Sequence, residues 1–92
     1  MTTAMARHIL LKTEDEAIKL KEKLKNGADF GSLAKKYSLC PSKKQSGDLG
    51  EIKRGQLVKT IDQVIFKKAL KVIHGPIKTK FGYHLVQVYF RQ

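Results

Sequence analysis

Apolar and polar positions recur with different periods along the chain, and the changes of period mark out its elements. Ala6-Arg7-His8-Ile9-Leu10-Leu11-Lys12 is a short apolar run of residues that suit a pleated surface, with Ala6, His8 and Leu10 in line at period two. It predicts a strand buried on both faces. Thr13-Glu14-Asp15-Glu16 reads as a capping box, in which Thr13 caps the amide three residues on while Glu16 reaches back. Ala17, Leu20 and Leu24 follow at helical spacing, which predicts a helix over residues 14–26, stopped by Gly27. Asp29 is placed to cap a second helix, where Phe30, Leu33, Ala34 and Tyr37 at i, i+3, i+4 and i+7 form one apolar stripe.

Residues 40–50, Cys40-Pro41-Ser42-Lys43-Lys44-Gln45-Ser46-Gly47-Asp48-Leu49-Gly50, combine Pro, Ser and Gly with lysines and predict a long ordered loop of the kind that carries function. Residues 51–53 read as a short edge strand. Val58, Ile61, Val64 and Ile65 predict a third helix ending near Lys68, and Gly75-Pro76 and Phe81-Gly82 each predict a turn. Tyr83 to Phe90 is the strongest strand. It places His84, Val86, Val88 and Phe90 on one face and Tyr83, Leu85, Gln87 and Tyr89 on the other. The order β, α, α, β, α, β, β predicts one α+β domain over residues 1–92, a small sheet covered by helices.

Composition narrows the function classes. Ninety-two residues suit one compact core and leave no room for a large cofactor-binding lobe. No apolar run approaches the roughly 20 residues that cross a bilayer. Residues 1–7 carry no apolar leader, so the expected setting is cytoplasmic, with a monomer as the default. Cys40, the single cysteine, has no partner for a disulfide and no second thiolate for a metal cluster. Nineteen Lys plus Arg against eight Asp plus Glu give a formal charge of +11, which attracts acidic partners, nucleic acid among them, and also keeps a small protein soluble. The lysines are scattered and form no tract interleaved with aromatics, so a dedicated nucleic-acid surface is weakly supported.

Candidate chemistry centres on two histidines. His8 and His84 fall inside the first and last strands, where apolar neighbours require each ring to find a partner. If those strands are adjacent the rings meet, either as a mutually hydrogen-bonded structural pair or as part of a site. A metal would need a third ligand, and neither Cys40 nor Asp48 stands at a recognised spacing. Cys40 has no evident oxyanion constellation around it, and His74 reads as a surface residue. Phosphate-binding and dinucleotide glycine motifs are lacking, and no motif calls for a cofactor.

Several segments together, in order along nearly the whole chain, resemble the parvulin family of peptidyl-prolyl cis/trans isomerases. They are His8-Ile9-Leu10-Leu11-Lys12, Phe30-Gly31-Ser32-Leu33-Ala34, Ser46-Gly47-Asp48-Leu49-Gly50, Gly55-Gln56-Leu57-Val58 and Phe81-Gly82-Tyr83-His84. The minimal single-domain bacterial parvulins are the nearest match in length. The resemblance implies a four-stranded antiparallel sheet surrounded by about four short helices, with the histidines adjacent at its centre and the cysteine above them. It implies a catalytic cluster of His8, Cys40 and His84 with Thr79 nearby, and a proline pocket bordered by Leu49, Leu57, Ile61 and Phe81, with Tyr83 and Gly82 at the rim. The implied partners are proline-containing polypeptides.

Three departures bear on that expectation. Leu57 and Ile61 stand where the family commonly has Met and Phe, making the slot aliphatic there, and Ser46 replaces a frequent Gly, which a negative φ would accommodate. Phosphate-directed parvulins carry a basic loop after the first strand, whereas Lys12 here passes straight into the Thr13 cap, so no preference for phosphorylated residues is expected. The competing readings are a non-enzymatic proline-peptide-binding or chaperone module, which would bind without accelerating rotation, and a nucleic-acid-associated protein, which a salt titration of binding would reveal.

Overall fold

The computed structural model describes residues 3–92, so the start of the leader reading, Met1 and Thr2, lies outside the described residues. Period-two alternation sets the architecture. Strands β1 (Thr3–Leu11), β2 (Asp48–Lys53), β3 (Ile73–Thr79) and β4 (Gly82–Arg91) form one antiparallel sheet in the order β2-β1-β4-β3. The two strands with the most continuous apolar character occupy its centre, where both faces are buried. Helices α1 (Glu14–Lys25), α2 (Phe30–Tyr37) and α3 (Lys59–Lys67), plus a 3-10 helix at Pro41–Gln45, complete an α+β fold.

In register, Ile9 lies opposite Leu85 and Leu11 opposite Tyr83, which sends these residues to the face covered by α1 and α2. There they pack with Ala17, Leu20, Phe30 and Ala34, all buried. The intervening positions Ala4, Ala6, Val86 and Val88 face the other way, onto Ile61, Ile65 and Phe66 of α3 and Ile52 of β2. The small side chains of Ala4 and Ala6 let α3 lie close. At nine residues it is too short to cover the whole face, and His8, Leu10 and His84 lie past its N-terminal end.

The helix starts follow the sequence signals with one change of detail. The Thr13 hydroxyl oxygen accepts from the Glu16 amide at 3.2 Å, as a cap should. The Glu16 carboxylate accepts from the Thr13 hydroxyl at 3.1 Å instead of reaching the backbone. Asp29 accepts from the Ser32 amide at 2.9 Å and opens α2. Helix α1 closes at Asn26, one residue before Gly27, whose φ is +98°.

Four expectations are corrected. The span 40–50 is not all loop: it winds into the 3-10 helix and pairs as β2 from Asp48, three residues earlier than expected, because Asp48 finds Arg7 across the ladder. Gly75-Pro76 is not a turn but lies inside β3, where the register slips between His74 and Ile77. An edge strand tolerates the missing proline N–H at such a point. His74 is half-buried, its Nε2 2.8 Å from the Ala69 carbonyl oxygen, rather than simply a surface residue. Ser46 has φ +62°, a left-handed conformation and not the negative one expected, and its own amide donates to Lys43 O at 3.0 Å. Gly47 follows at φ +84°, where an added Cβ would sit 2.6 Å from the His8 carbonyl oxygen, so only glycine lets this turn press against β1.

Candidate active site

The uncovered half of the α3 face is a cavity of about 390 Å³. The sheet contributes His8, Leu10 and His84 to its lining. Leu49 comes from β2, Leu57, Val58 and Ile61 from the N-terminal end of α3, Leu39, Cys40 and Pro41 from the segment entering the 3-10 helix, and Phe81 from the β3–β4 turn. Every wall residue apart from the histidines and Cys40 is apolar, and none is a carboxylate. Ser38, buried at 3% exposure, pins the entering segment: its Oγ accepts from the Leu10 amide at 3.0 Å and the Cys40 amide at 3.3 Å. The half-buried Cys40 is thereby held against β1.

His8 and His84 are diagonal neighbours, His8 lying opposite Val86 and His84 opposite Leu10. Their rings are nearly parallel, 16° apart with centroids 5.4 Å from each other, and Nδ1 meets Nδ1 at 3.2 Å. Outside the pair, His8 Nε2 is 3.1 Å from Ser42 Oγ and His84 Nε2 is 2.7 Å from Thr79 Oγ1. All four ring nitrogens are thus engaged. Burial, with a smaller contribution from the neighbouring His84, lowers the His8 pKa from 6.5 to about 4, and burial lowers that of His84 as well. These shifts keep both rings neutral at pH 7, and in the contact between the two Nδ1 atoms one donates and the other accepts.

Of the residues expected at the site, His8, Cys40, His84, Leu49, Leu57, Ile61 and Phe81 all line the cavity. Thr79 sits behind it on His84. Tyr83 does not belong to the rim: it follows His84 in the opposite phase of β4 and packs with the α1 and α2 cluster. Strand alternation decides its face. The aliphatic stretch at Leu57 and Ile61 is met by an aromatic from another segment, Phe81, which is 58% exposed and has the Lys80 ammonium 5.2 Å from its ring centroid. Leu10, Leu39, Pro41, Val58 and the hydrogen-bonding Ser42 were not foreseen. Leu10 had a signal in its place in line with His8, and Val58 in its helical spacing with Ile61 and its place beside Leu57.

Comparison with known proteins agrees with this geometry. The family model for the PPIC-type PPIase domain, a rotamase domain, matches residues 8–89. The chain belongs to this family. Among curated relatives, the foldase protein PrsA 4 of Bacillus cereus is 42% identical over 82 residues, covering 88% of this chain and 29% of that protein. PrsA of Geobacillus kaustophilus is 42% identical over 84 residues, 90% of this chain and 30% of the relative. The PPIC-type domain thus spans less than a third of the length of these relatives. Among solved structures, NmPin, the parvulin of Nitrosopumilus maritimus, superposes with a TM-score of 0.88 at 36% identity, covering 98% of both chains. PrsA of Bacillus anthracis gives 0.95 at 33% identity over 99% of this chain and 42% of that one. The parvulin-like sheet and helices expected from the sequence are those observed.

Proposed function

We propose that the chain catalyses cis/trans rotation about X-Pro bonds in unfolded or flexible polypeptides, with the proline ring held against Leu49, Leu57, Ile61 and Phe81. The observation that carries this reading is an apolar pocket whose polar members are a neutral histidine pair and one cysteine. Amide resonance sets a barrier of roughly 18–20 kcal/mol. The planar amide is the more polar, charge-separated form, so an apolar pocket removes the water that favours it and lowers the relative cost of the twisted bond. Rotation breaks no covalent bond, and the site needs no cofactor for it.

The occupied ring nitrogens define the roles. With each nitrogen bonded to a ring, Ser42 or Thr79, neither imidazole has an atom free to take the Cys40 proton or to protonate the substrate. His8 and His84 therefore shape and polarise the floor, and Cys40 contributes a dipole beside the rotating carbonyl as preorganised electrostatics. The direct connection of β1 to α1 through Lys12 and Thr13 leaves no basic loop at the site, which supports activity without phospho-specificity. A free, half-buried thiol suits a reducing, cytoplasmic setting.

The test is proline exchange in a panel of unphosphorylated X-Pro peptides, with Cys40→Ala and Cys40→Ser beside the parent. Acceleration by the parent, reduced but measurable in either variant, is the expected result. Loss of nearly all activity in both would favour covalent attack by the thiol. Binding without acceleration would favour the proline-peptide-binding module, the reading that the aliphatic Leu57 and Ile61 support.

A further inference from the structure

Apolar alternation along the two central strands is broken at one cross-strand pair. Arg7 on β1 and Gln87 on β4 lie opposite each other in the phase of Ile9, Leu11 and Leu85, where packing alone would place apolar side chains. The break falls where the α1–α2 connection crosses the sheet, on the face away from the histidines. The Arg7 side chain is held in place: Nε donates to Gln87 Oε1 at 2.9 Å, and the guanidinium carbon lies 4.5 Å from the centroid of the Phe30 ring. Gln87 is fixed in turn, its Nε2 donating to the Lys71 carbonyl at 3.1 Å. Among the described residues no hydrogen bond engages the two Nη groups of Arg7, so a half-buried cation is oriented with its end-on donor pair unused.

Arg7 separates two clefts. The one toward β2 contains the Asp48 carboxylate, which repels an anion. The one toward β3, of about 360 Å³, brings Arg7, Lys71 and Gln87 together with Leu24, Phe30 and Ile73. Its one carboxylate, Asp29, is engaged at the α2 cap, where Oδ2 accepts from the Ser32 amide and hydroxyl, both at 2.9 Å. We propose that this cleft binds a carboxylate carried on an apolar group, with Arg7 and Lys71 holding the oxygens and Leu24, Phe30 and Ile73 covering the apolar part. Two parallel N–H groups of a guanidinium match the edge of a carboxylate. One such pair and one ammonium, set against the neighbouring Asp29, suit a singly charged group and not a phosphate dianion. The charge of +11 draws such ligands in. Small organic acids and the C-terminal residue of a peptide share this chemistry. The site stands apart from the isomerase reading, because it shares no residue with the cavity over the histidines.

The experiment follows backbone amide shifts of the full chain at low salt as phenylacetate, acetate, inorganic phosphate or the dipeptide N-acetyl-Ala-Phe, with a free or an amidated C-terminus, is added. Phenylacetate should saturate shifts at Arg7, Ala28, Lys71 and Gln87 and bind about fivefold or more tighter than acetate or phosphate. Arg7→Leu, which suits the apolar phase of β1, should abolish saturation. Lys71 has φ +66°, so Lys71→Asn keeps a residue that tolerates the left-handed backbone and should weaken binding about fivefold. Asp29→Asn, an equally good helix cap, should tighten it about threefold, and Lys44→Ala, which removes a charge elsewhere, should leave it unchanged. Saturation by the free-ended dipeptide and not by its amide would place a chain terminus in the cleft, and saturation by phenylacetate alone a small acid; either supports the site. Phosphate binding tighter than phenylacetate, phenylacetate shifts confined to Cys40 and His84, equal affinity in the parent and folded Arg7→Leu, or equal weakening by Lys44→Ala and Lys71→Asn would overturn it.

Discussion

One sheet in this molecule presents two faces that meet different fates. Under α1 and α2, Ile9, Leu11 and Leu85 are at most 1% exposed and meet Phe30 and Ala34, so that face is filled with large apolar side chains. The opposite face, built by the alternate residues of the same strands, is filled only where Ala4 and Ala6 admit α3, and it opens into the cavity over His8, Leu10 and His84. Neighbouring residues on one strand thus divide stability from chemistry. Close packing makes the first face costly to disturb, and the incompleteness of the second leaves room for a ligand.

The largest effect should come from breaking the closed face. Leu85→Ala removes a fully buried side chain and should cost about 3 kcal/mol, read in a denaturant titration, with a fall in Tm of roughly 15 °C. Leu57→Ala on the open face should cost about 1 kcal/mol or less, since the side chain is already half-exposed, yet raise KM for proline peptides several-fold. Equal stability losses in the two variants would remove the distinction between the faces.

The histidine pair sits where the two roles touch, and pH separates them. The folded pKa of His8 lies near 4 against 6.5 unfolded, so the unfolded chain takes up the proton first as pH falls. The stability of the neutral pair is fully present above pH 6.5 and declines through that window to about pH 4, by about 3 kcal/mol for His8 alone. His84, shifted the same way, adds to the decline. Urea midpoints measured from pH 7.5 to 4 should drop accordingly, and His8→Phe should flatten the dependence.

Two smaller effects sharpen the comparison. Ser46→Gly should stabilise the fold by about 0.5–1 kcal/mol, the relief of a left-handed serine less the entropy of glycine, and leave exchange kinetics unchanged because Ser46 lies outside the cavity. Net charge should act on encounter alone. Glu before proline should give a few-fold higher kcat/KM than Gln at low salt, and the advantage should vanish by about 0.5 M salt.

What the sequence disclosed follows from periodicity. Strand alternation put His8 and His84 inside two strands, the parvulin resemblance implied that these strands are neighbours, and caps at Thr13 and Asp29 marked both helix starts. The error on Tyr83 came from treating Phe81-Gly82-Tyr83-His84 as one unit, when the alternation of β4 already set Tyr83 with Leu85, away from His84. Segments without a period concealed the rest. Nothing in Pro41-Ser42-Lys43 announces that Ser42 reaches His8 across 34 residues of chain, and no local rule gives Ser46 a positive φ, which follows from the close approach of Gly47 to β1.

The most direct test of the account is two-dimensional NMR exchange on an unphosphorylated X-Pro peptide, with the parent at substoichiometric concentration and folded Leu57→Asp alongside. The account predicts strong cis/trans cross-peaks with the parent and peaks at the uncatalysed level with the variant, whose carboxylate occupies the apolar slot. A folded parent that leaves the exchange at its uncatalysed rate would contradict it.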